Sequence, residues 1–287
     1  MCVSIALAEP RVRAWRGSSP TIDGIIEAGE WDDAERVDGA ANWLSEFSAV
    51  NNTSPPHDLD ASFLVKHDGT SLYFAIIVTD DTVFGVDVAR WVPSGNPIAD
   101  ALNQSGWPWF GDEAEILLNP RGTWSAVNET AVGNGSSFQM VVNSGKSRLH
   151  GIGIGGLLEG EPRSSSAAWT TYSEWIASGA QRAAVRINAH VATGGASVWV
   201  AEWGIAFNPC VEVRPGHYYR PHDYPDGINI GLNVAIGDVD DARYSRDENP
   251  YGIRHEQWWS GTREGRTRLS EFGTLVLEPG PRTASSA

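Results

Sequence analysis

Apolar and polar residues alternate, or apolar residues run together for a few positions, along much of this chain. Residues 61–68 alternate as a strand, and residues 72–81 are apolar enough for a strand that is buried on both faces. The Asp68-Gly69 pair between them is typical of a tight hairpin turn. These two segments therefore predict a β-hairpin, which is the clearest local element in the sequence.

The same criteria predict strands elsewhere, at residues 113–118, 137–143, 183–192, 197–207, 228–236, 255–259 and 272–277. No stretch of convincing length has a helical period, and strands do not alternate with helices. The pattern predicts an all-β protein, an antiparallel β-sandwich of the jelly-roll-like kind with long loops. Residues 84–108 form one such loop, and loops of that length in compact domains usually have a binding role.

A single domain is predicted over residues 18–279, because no repeat and no linker-like change of composition divides it. Residues 1–17 are interpreted as a leader, since Ala6-Leu7-Ala8 fits the cleavage site of a secretory signal peptide. The apolar stretch before that site is short and has no basic start, so a leader without a targeting role is the alternative. Residues 280–287 are predicted to be a disordered tail. We expect a secreted or periplasmic protein.

Composition excludes several classes of function. The 287 residues carry a net charge of −15, which argues against nucleic acid as a partner because binding a polyphosphate needs a basic surface. No apolar run reaches the roughly 18–20 residues of a membrane span. Cys2 and Cys210 are the only cysteines, so the chain has no disulfide framework and no zinc-ligand spacing. Whether these two cysteines pair stays open.

The strongest signal for a ligand lies just before the strand at residue 113. Trp107 and Trp109 stand in a Gly- and Pro-rich loop, and an alternating acidic and apolar strand follows directly. A tryptophan at such a junction either fills the core or offers a flat ring to a ligand. Carboxylates beside it accept hydrogen bonds from hydroxyl groups, which favours a sugar. On the strand, Glu113 and Glu115 share one face and Asp112 takes the other.

A second segment, residues 238–249, is rich in oxygen ligands. Calcium takes six to eight oxygen atoms in a flexible geometry. The acidic spacing here lacks the EF-hand pattern. We predict a calcium site that includes Asp238, Asp240 and Asp241, with an acidic surface loop as the alternative.

Several motifs occur in an order that resembles a known family. They are PTIDG at 20–24, EW at 30–31, WFGDEAEI at 109–116, FQMV at 138–141, WGIAF at 203–207 and FGTLVL at 272–277. This order resembles that of family 9 carbohydrate-binding modules, β-sandwiches that are found attached to xylanases and in standalone secreted proteins. The resemblance runs from about residue 18 to residue 279.

The resemblance implies a site that holds the reducing end of a glucan or xylan between two tryptophan rings, with structural calcium nearby. One ring corresponds to Trp109, and the sugar-facing polar position falls on Gln139, with Asp112 and Glu115 as further hydrogen-bonding groups. The second ring should precede the closing Phe-Gly, but residues 266–268 there contain no tryptophan. The candidates for this second wall are Trp107, Trp258, Trp259 and Arg266. If Trp258 and Trp259 lie on a strand, one faces the core and the other is exposed.

The function that this sequence predicts is carbohydrate binding without catalysis. One alternative is a b-type heme domain of electron transfer, with Met140 as an axial ligand and Lys66, His67 or His190 as its partner, although a lone Met on an apolar strand usually fills the core. The other is a hydrolase or lyase acting on polysaccharide with paired carboxylates. With 36 acidic residues, some pair meets that distance criterion by chance, so the signal for an enzyme is weak.

Overall fold

A computed structural model describes much of the chain. The described residues are 10–39, 43–47, 59–80, 83, 112–122, 137–144, 146–153, 174–188, 197–238, 255–260 and 271–282. They form strands almost throughout. The strands are β1 Arg11–Arg16, β2 Glu35–Val37, β3 Leu44–Phe47, β4 Asp60–His67, β5 Ser71–Asp80, β6 Glu113–Asn119, β7 Phe138–Asn143, β8 Lys146–Gly153, β9 Gln181–Asn188, β10 Ser197–Ala206, β11 Glu212–Arg214, β12 His217–Tyr218, β13 Ile228–Asp238, β14 His255–Trp258 and β15 Gly273–Leu277.

Helical structure in the described part is confined to short pieces. A helical turn covers residues 174–177, a short segment that is extended at Asn208 covers Phe207–Cys210, and a 3₁₀ turn covers Pro221–Asp223. None of the described helices is long and apolar enough to cross a membrane.

Two sheets pack face to face. Sheet A has the order β8-β7-β6-β13-β15-β1, and sheet B has the order β1-β4-β5-β10-β9. The last residues of β13, beyond its pairing with β15, pair with β14, and β14 in turn pairs with β3. In sheet B, β2 pairs with β4. Almost all the pairings are antiparallel, and the β-sandwich that the sequence predicts is confirmed.

Strand β1 joins the two sheets. Its first four residues pair in parallel with β15, and Trp15 and Arg16 pair in parallel with β4. Val12 and Ala14 point into the core and are fully buried. The prediction that residues 1–17 form a leader outside the domain is therefore wrong for residues 11–16. In residues 11–14, charged and small apolar side chains alternate, and this alternation is the sequence signal for strand β1.

The C-terminal boundary also lies further along than predicted. The carbonyl of Gly280 accepts a hydrogen bond from the backbone N–H of Arg16, and Arg282 donates one to the carbonyl of Ala34. Residues 280–282 thus belong to the folded domain, while residues 283–287 lie outside the described part of the chain.

The predicted hairpin is confirmed. β4 and β5 pair antiparallel around the Asp68-Gly69 turn, where Gly69 has a φ of 98°. β9 pairs with β10 along eight residues. The core lies between the sheets and is filled from alternate positions of several long strands, for example Phe63 and Val65 from β4, Trp199 and Trp203 from β10, and Ile230 and Leu232 from β13.

Candidate functional site

The outer face of sheet A carries a band of buried polar side chains. Ala114, Ile116 and Leu118 of β6 point into the core, so Glu113 and Glu115 point to the opposite face, as the sequence predicts. Both glutamates are fully buried. This face of β6 is therefore not solvated at Glu113 and Glu115. Strand β6 is therefore buried on both faces, with an apolar inner face and an acidic outer face.

Gln139 meets Glu115 on this face. The amide Nε2 of Gln139 donates a hydrogen bond to Oε2 of Glu115 over 2.5 Å. β6 and β7 are paired so that Leu117 lies opposite Gln139, which makes Glu115 the diagonal neighbour of that glutamine. The pair is buried and hydrogen-bonded, so both side chains are fixed in direction before any ligand arrives.

Apolar and acidic groups continue the face across β13 and β14. Leu117, Ala235, Trp258 and Phe272 form a small apolar cluster beside the Glu115–Gln139 pair. In the next row, Gly237 of β13 lies between Glu113 and Glu256 in register. The indole Nε1 of Trp258 donates to Oε2 of Glu256 over 3.1 Å. Apolar surface and oriented acceptors therefore stand side by side.

Trp258, the last residue of β14, and the adjacent Trp259 are both buried. Trp258 lies on the outer face of sheet A, and Trp259 lies in the core with its ring edge-to-face against Phe63, 5.5 Å between centroids. The prediction that they point to opposite faces is confirmed. The prediction that one of them is exposed is wrong, since the exposed fractions are 0% and 3%. Neither offers an open ring to a ligand.

Three aspartates meet at one end of the sandwich, which we call the carboxylate end. Asp80 closes β5, Asp112 precedes β6, and Asp238 closes β13. All three are buried, and each offers an oxygen within 4.8 Å of the others. Each continues a core-facing row, so these three strands end at the same place between the sheets.

The predicted calcium ligands are only partly brought together. Asp238 belongs to this group, whereas Asp240 and Asp241 lie outside the described residues. Asp80 was not among the predicted ligands, and Asp112 was predicted to face the sugar, but Asp112 lies on the core side beside Asp80 and Asp238. The missed signal was an aspartate at the end of each apolar row: Ile76-Val78-Asp80, Asp112-Ala114-Ile116 and Val234-Ile236-Asp238. The donor set fits a hard divalent cation, because carboxylate oxygens are the ligands that calcium prefers.

Trp107, Trp109 and Arg266 lie outside the described residues, as does the loop at 84–108.

Of the heme-ligand candidates, Met140 is buried in the core and Lys66 Nζ is 2.7 Å from Oδ1 of Asp33. His67 Nε2 lies 2.6 Å from the carbonyl oxygen of Glu278. Burial lowers the pKa of His67, so its neutral ring donates this hydrogen bond. His190 is outside the described residues.

Comparison with solved structures identifies the fold. A family 9 carbohydrate-binding module from Caldicellulosiruptor kristjanssonii in complex with cellotriose has 15% identity and a TM-score of 0.53, with 97% of each chain covered. The same kind of module with glucose bound has 14% identity and a TM-score of 0.53, covering 96% of this chain and 98% of that one. A candidate carbohydrate-binding protein from Bacteroides uniformis has 16% identity and a TM-score of 0.53, covering 94% and 100%.

No protein-family model and no curated relative matches the sequence. The resemblance to family 9 carbohydrate-binding modules is thus confirmed in the fold, over nearly the full length of the chain.

Proposed function

We propose that this protein binds carbohydrate without catalysis, at the outer face of sheet A. The observation that carries the proposal is the buried hydrogen bond between Gln139 and Glu115. Glu115 lies six residues after Trp109 in the sequence. It supplies an oriented amide and carboxylate next to an apolar patch. This combination suits a pyranose, whose C–H face is apolar and whose rim carries hydroxyl groups.

Trp109 is proposed as the ring on which the sugar stacks. The second wall is proposed to come from Trp107 or Arg266, because Trp259 lies in the core between the sheets and Trp258 packs within the cluster of Leu117, Ala235 and Phe272. Trp258 keeps a different role, in which it packs on Leu117 and fixes Glu256 through its indole N–H. The solved structures with cellotriose and glucose support a glucan or another saccharide as the partner.

A calcium ion is proposed at the carboxylate end, held by Asp80, Asp112 and Asp238. A bound cation would neutralise three carboxylates that lie between the sheets, where like charges repel strongly. It would also join the ends of β5 and β13 to the start of β6. Since Asp112 directly precedes Glu113, this ion would hold the strand that presents the sugar-binding face.

Secretion is proposed from the Ala6-Leu7-Ala8 pattern alone.

Isothermal titration with glucose, cellobiose and xylobiose tests the function. We expect binding at roughly micromolar to millimolar dissociation constants, as is usual for a small ligand held by one or two rings and a few hydrogen bonds. Heat release should vanish in Trp109→Ala and fall at least about tenfold in affinity in Glu115→Gln, because loss of a charged hydrogen bond costs ~1.5–3 kcal/mol.

The matched control is Glu212→Gln, which removes a carboxylate from the distant β11–β12 ribbon and should bind as the wild type does. Folded protein that gives no heat with any of the three sugars would contradict the proposed ligands. Unchanged binding in Trp109→Ala would contradict the stacking assignment.

A further inference from the structure

Asn233 of β13 lies on the outer face of sheet A, in the same row as Gln139. Its neighbours Leu232 and Val234 point into the core, so the Asn233 side chain points the other way, and it is fully buried. In register, Leu117 of β6 lies opposite both Asn233 and Gln139. Since neighbouring strands lie about 4.8 Å apart, the backbones of the two amide residues are ~10 Å apart, with Leu117 between them.

Three hydrogen bonds fix the direction of the Asn233 amide. Its Oδ1 accepts from the backbone N–H groups of Val234 and Ser260, at 2.9 and 3.0 Å, and its Nδ2 donates to the carbonyl oxygen of Ser260 over 2.7 Å. A backbone N–H can only donate and a carbonyl can only accept, so these partners distinguish the oxygen from the nitrogen of the amide. Ser260 is held in turn, because its Oγ donates to the carbonyl of Glu271 over 2.9 Å.

One N–H of each amide in this row is left for a ligand. A primary amide has two N–H donors. Asn233 uses one on Ser260 and Gln139 uses one on Oε2 of Glu115, and in both side chains the second N–H has no acceptor among the described residues. A buried donor without an acceptor has lost the hydrogen bond that it makes with water in the unfolded chain, so an acceptor on a ligand is favoured here.

We propose that Asn233 is a specificity-determining residue of the sugar-binding face, which donates its second N–H to a hydroxyl oxygen of the bound sugar. This inference rests on the function proposed above. The apolar face of the pyranose lies over Leu117 and Ala235, with Gln139 and Glu115 at one edge of the ring and Asn233 at the opposite edge. Such a site selects sugars with hydroxyl groups on both edges, because a site built to hydrogen-bond a hydroxyl strongly rejects an analogue that lacks it.

Isothermal titration with glucose and its monodeoxy derivatives tests this contact in the whole protein. In the wild type, the derivative that lacks the hydroxyl bound by Asn233 should bind about tenfold more weakly than glucose, since the amide is then left without an acceptor. In Asn233→Ala, glucose and this derivative should bind with equal affinity, because the contact is absent from both complexes. A derivative that lacks a hydroxyl bound by Glu115 should be discriminated equally in the two proteins.

Two further variants separate this contact from the anchoring of the chain. Ser260→Ala removes the hydroxyl that bonds the carbonyl of Glu271 but keeps the backbone groups that hold the Asn233 amide. Its melting temperature should fall, while its discrimination between glucose and the deoxy derivatives stays that of the wild type. Asn229→Ala is the matched control, because Asn229 lies on the same face of β13 four residues away, is exposed, and accepts a hydrogen bond from Arg11. It should bind all the sugars as the wild type does.

Glucose binding in which Asn233→Ala and the wild type discriminate the deoxy derivatives identically would overturn this inference and leave the proposed function standing. No heat with any of the sugars would contradict both. If Asn233→Ala does not fold, the side-chain amide ¹⁵N–¹H signals of the wild type decide: those of Asn233 should shift when glucose is added, and those of Asn229 should not. Asn233 signals that stay unchanged at a saturating glucose concentration would overturn the inference as well.

Discussion

The two ends of the sandwich are closed by opposite chemistry. At the carboxylate end, Asp80, Asp112 and Asp238 place three acidic groups between the sheets. At the other end, His67, Phe207 and Tyr219 pack ring on ring, with 4.7 Å between the centroids of Phe207 and Tyr219. We call this second group the aromatic end. Aromatic rings close an end by burial alone, whereas clustered carboxylates need a compensating positive charge.

This difference bears on where the candidate site lies. The aromatic end is complete within the chain, and the carbonyl of Glu278 supplies the partner of His67. The carboxylate end lies next to Glu113 and Gly237, which are paired neighbours on β6 and β13 at the edge of the proposed sugar-binding face. In our proposal a bound ion would stabilise the carboxylate end, which lies beside the proposed sugar-binding face, whereas the aromatic end is closed by packed rings.

The strongest test of this contrast is Phe207→Ala. Phe207 is almost fully buried between His67 and Tyr219, so its loss leaves a cavity at the aromatic end. We expect the free energy of unfolding to fall by ~3–5 kcal/mol. Urea denaturation measures it, and the loss should be the same with calcium and with a chelator. A loss that calcium reverses would show that the two ends are not independent.

Calcium should act on the carboxylate end with a somewhat smaller effect. At 100 times its dissociation constant, an ion that binds only the folded state raises the free energy of unfolding by ~2.7 kcal/mol. We expect the melting temperature of the wild-type protein to rise with calcium and to fall again with chelator. Asp238→Asn should show little of this response. An equal rise in melting temperature in Asp238→Asn and the wild type would contradict the proposed calcium site.

His67 should make the aromatic end sensitive to acid. Its pKa is lowered by burial, so its contribution to stability is complete above the ordinary value of 6.5 and is lost as the pH falls below it. The loss is at most ~1.4 kcal/mol per pH unit. Melting temperatures between pH 8 and pH 5 measure this, with His67→Gln as the variant that cannot titrate. A slope that is unchanged in His67→Gln would assign the acid sensitivity to other groups.

The smallest effect is expected for Tyr219→Phe. The hydroxyl of Tyr219 lies 3.4 Å from the carbonyl oxygen of Leu277, which is a long hydrogen bond, and the ring contacts remain after the substitution. We expect a loss of only ~0.5–1 kcal/mol in urea unfolding. A loss as large as that of Phe207→Ala would mean that the aromatic end depends on this hydroxyl group rather than on packing.

Local elements were predictable from the sequence and distant groupings were not. The β4–β5 hairpin follows from alternation and one Asp-Gly turn, both within 21 residues. The carboxylate end joins residues up to 158 positions apart, and nothing in the sequence around Asp80 names Asp238 as its neighbour. Trp258 was expected to be exposed if Trp259 is buried, because outward-facing positions are usually solvated. Here the outer face of sheet A is itself buried.

The position of β1 has a consequence for how this protein is made. β1 lies near the start of the chain, but four of its six residues pair with β15, about 260 residues later. Ribosomes add roughly 5–20 residues per second. Strand β1 therefore has no partner in sheet A for at least about 13 seconds of synthesis. Hairpins such as β4–β5 can form on the ribosome, but the two sheets cannot be joined through β1 until the end of the domain has emerged.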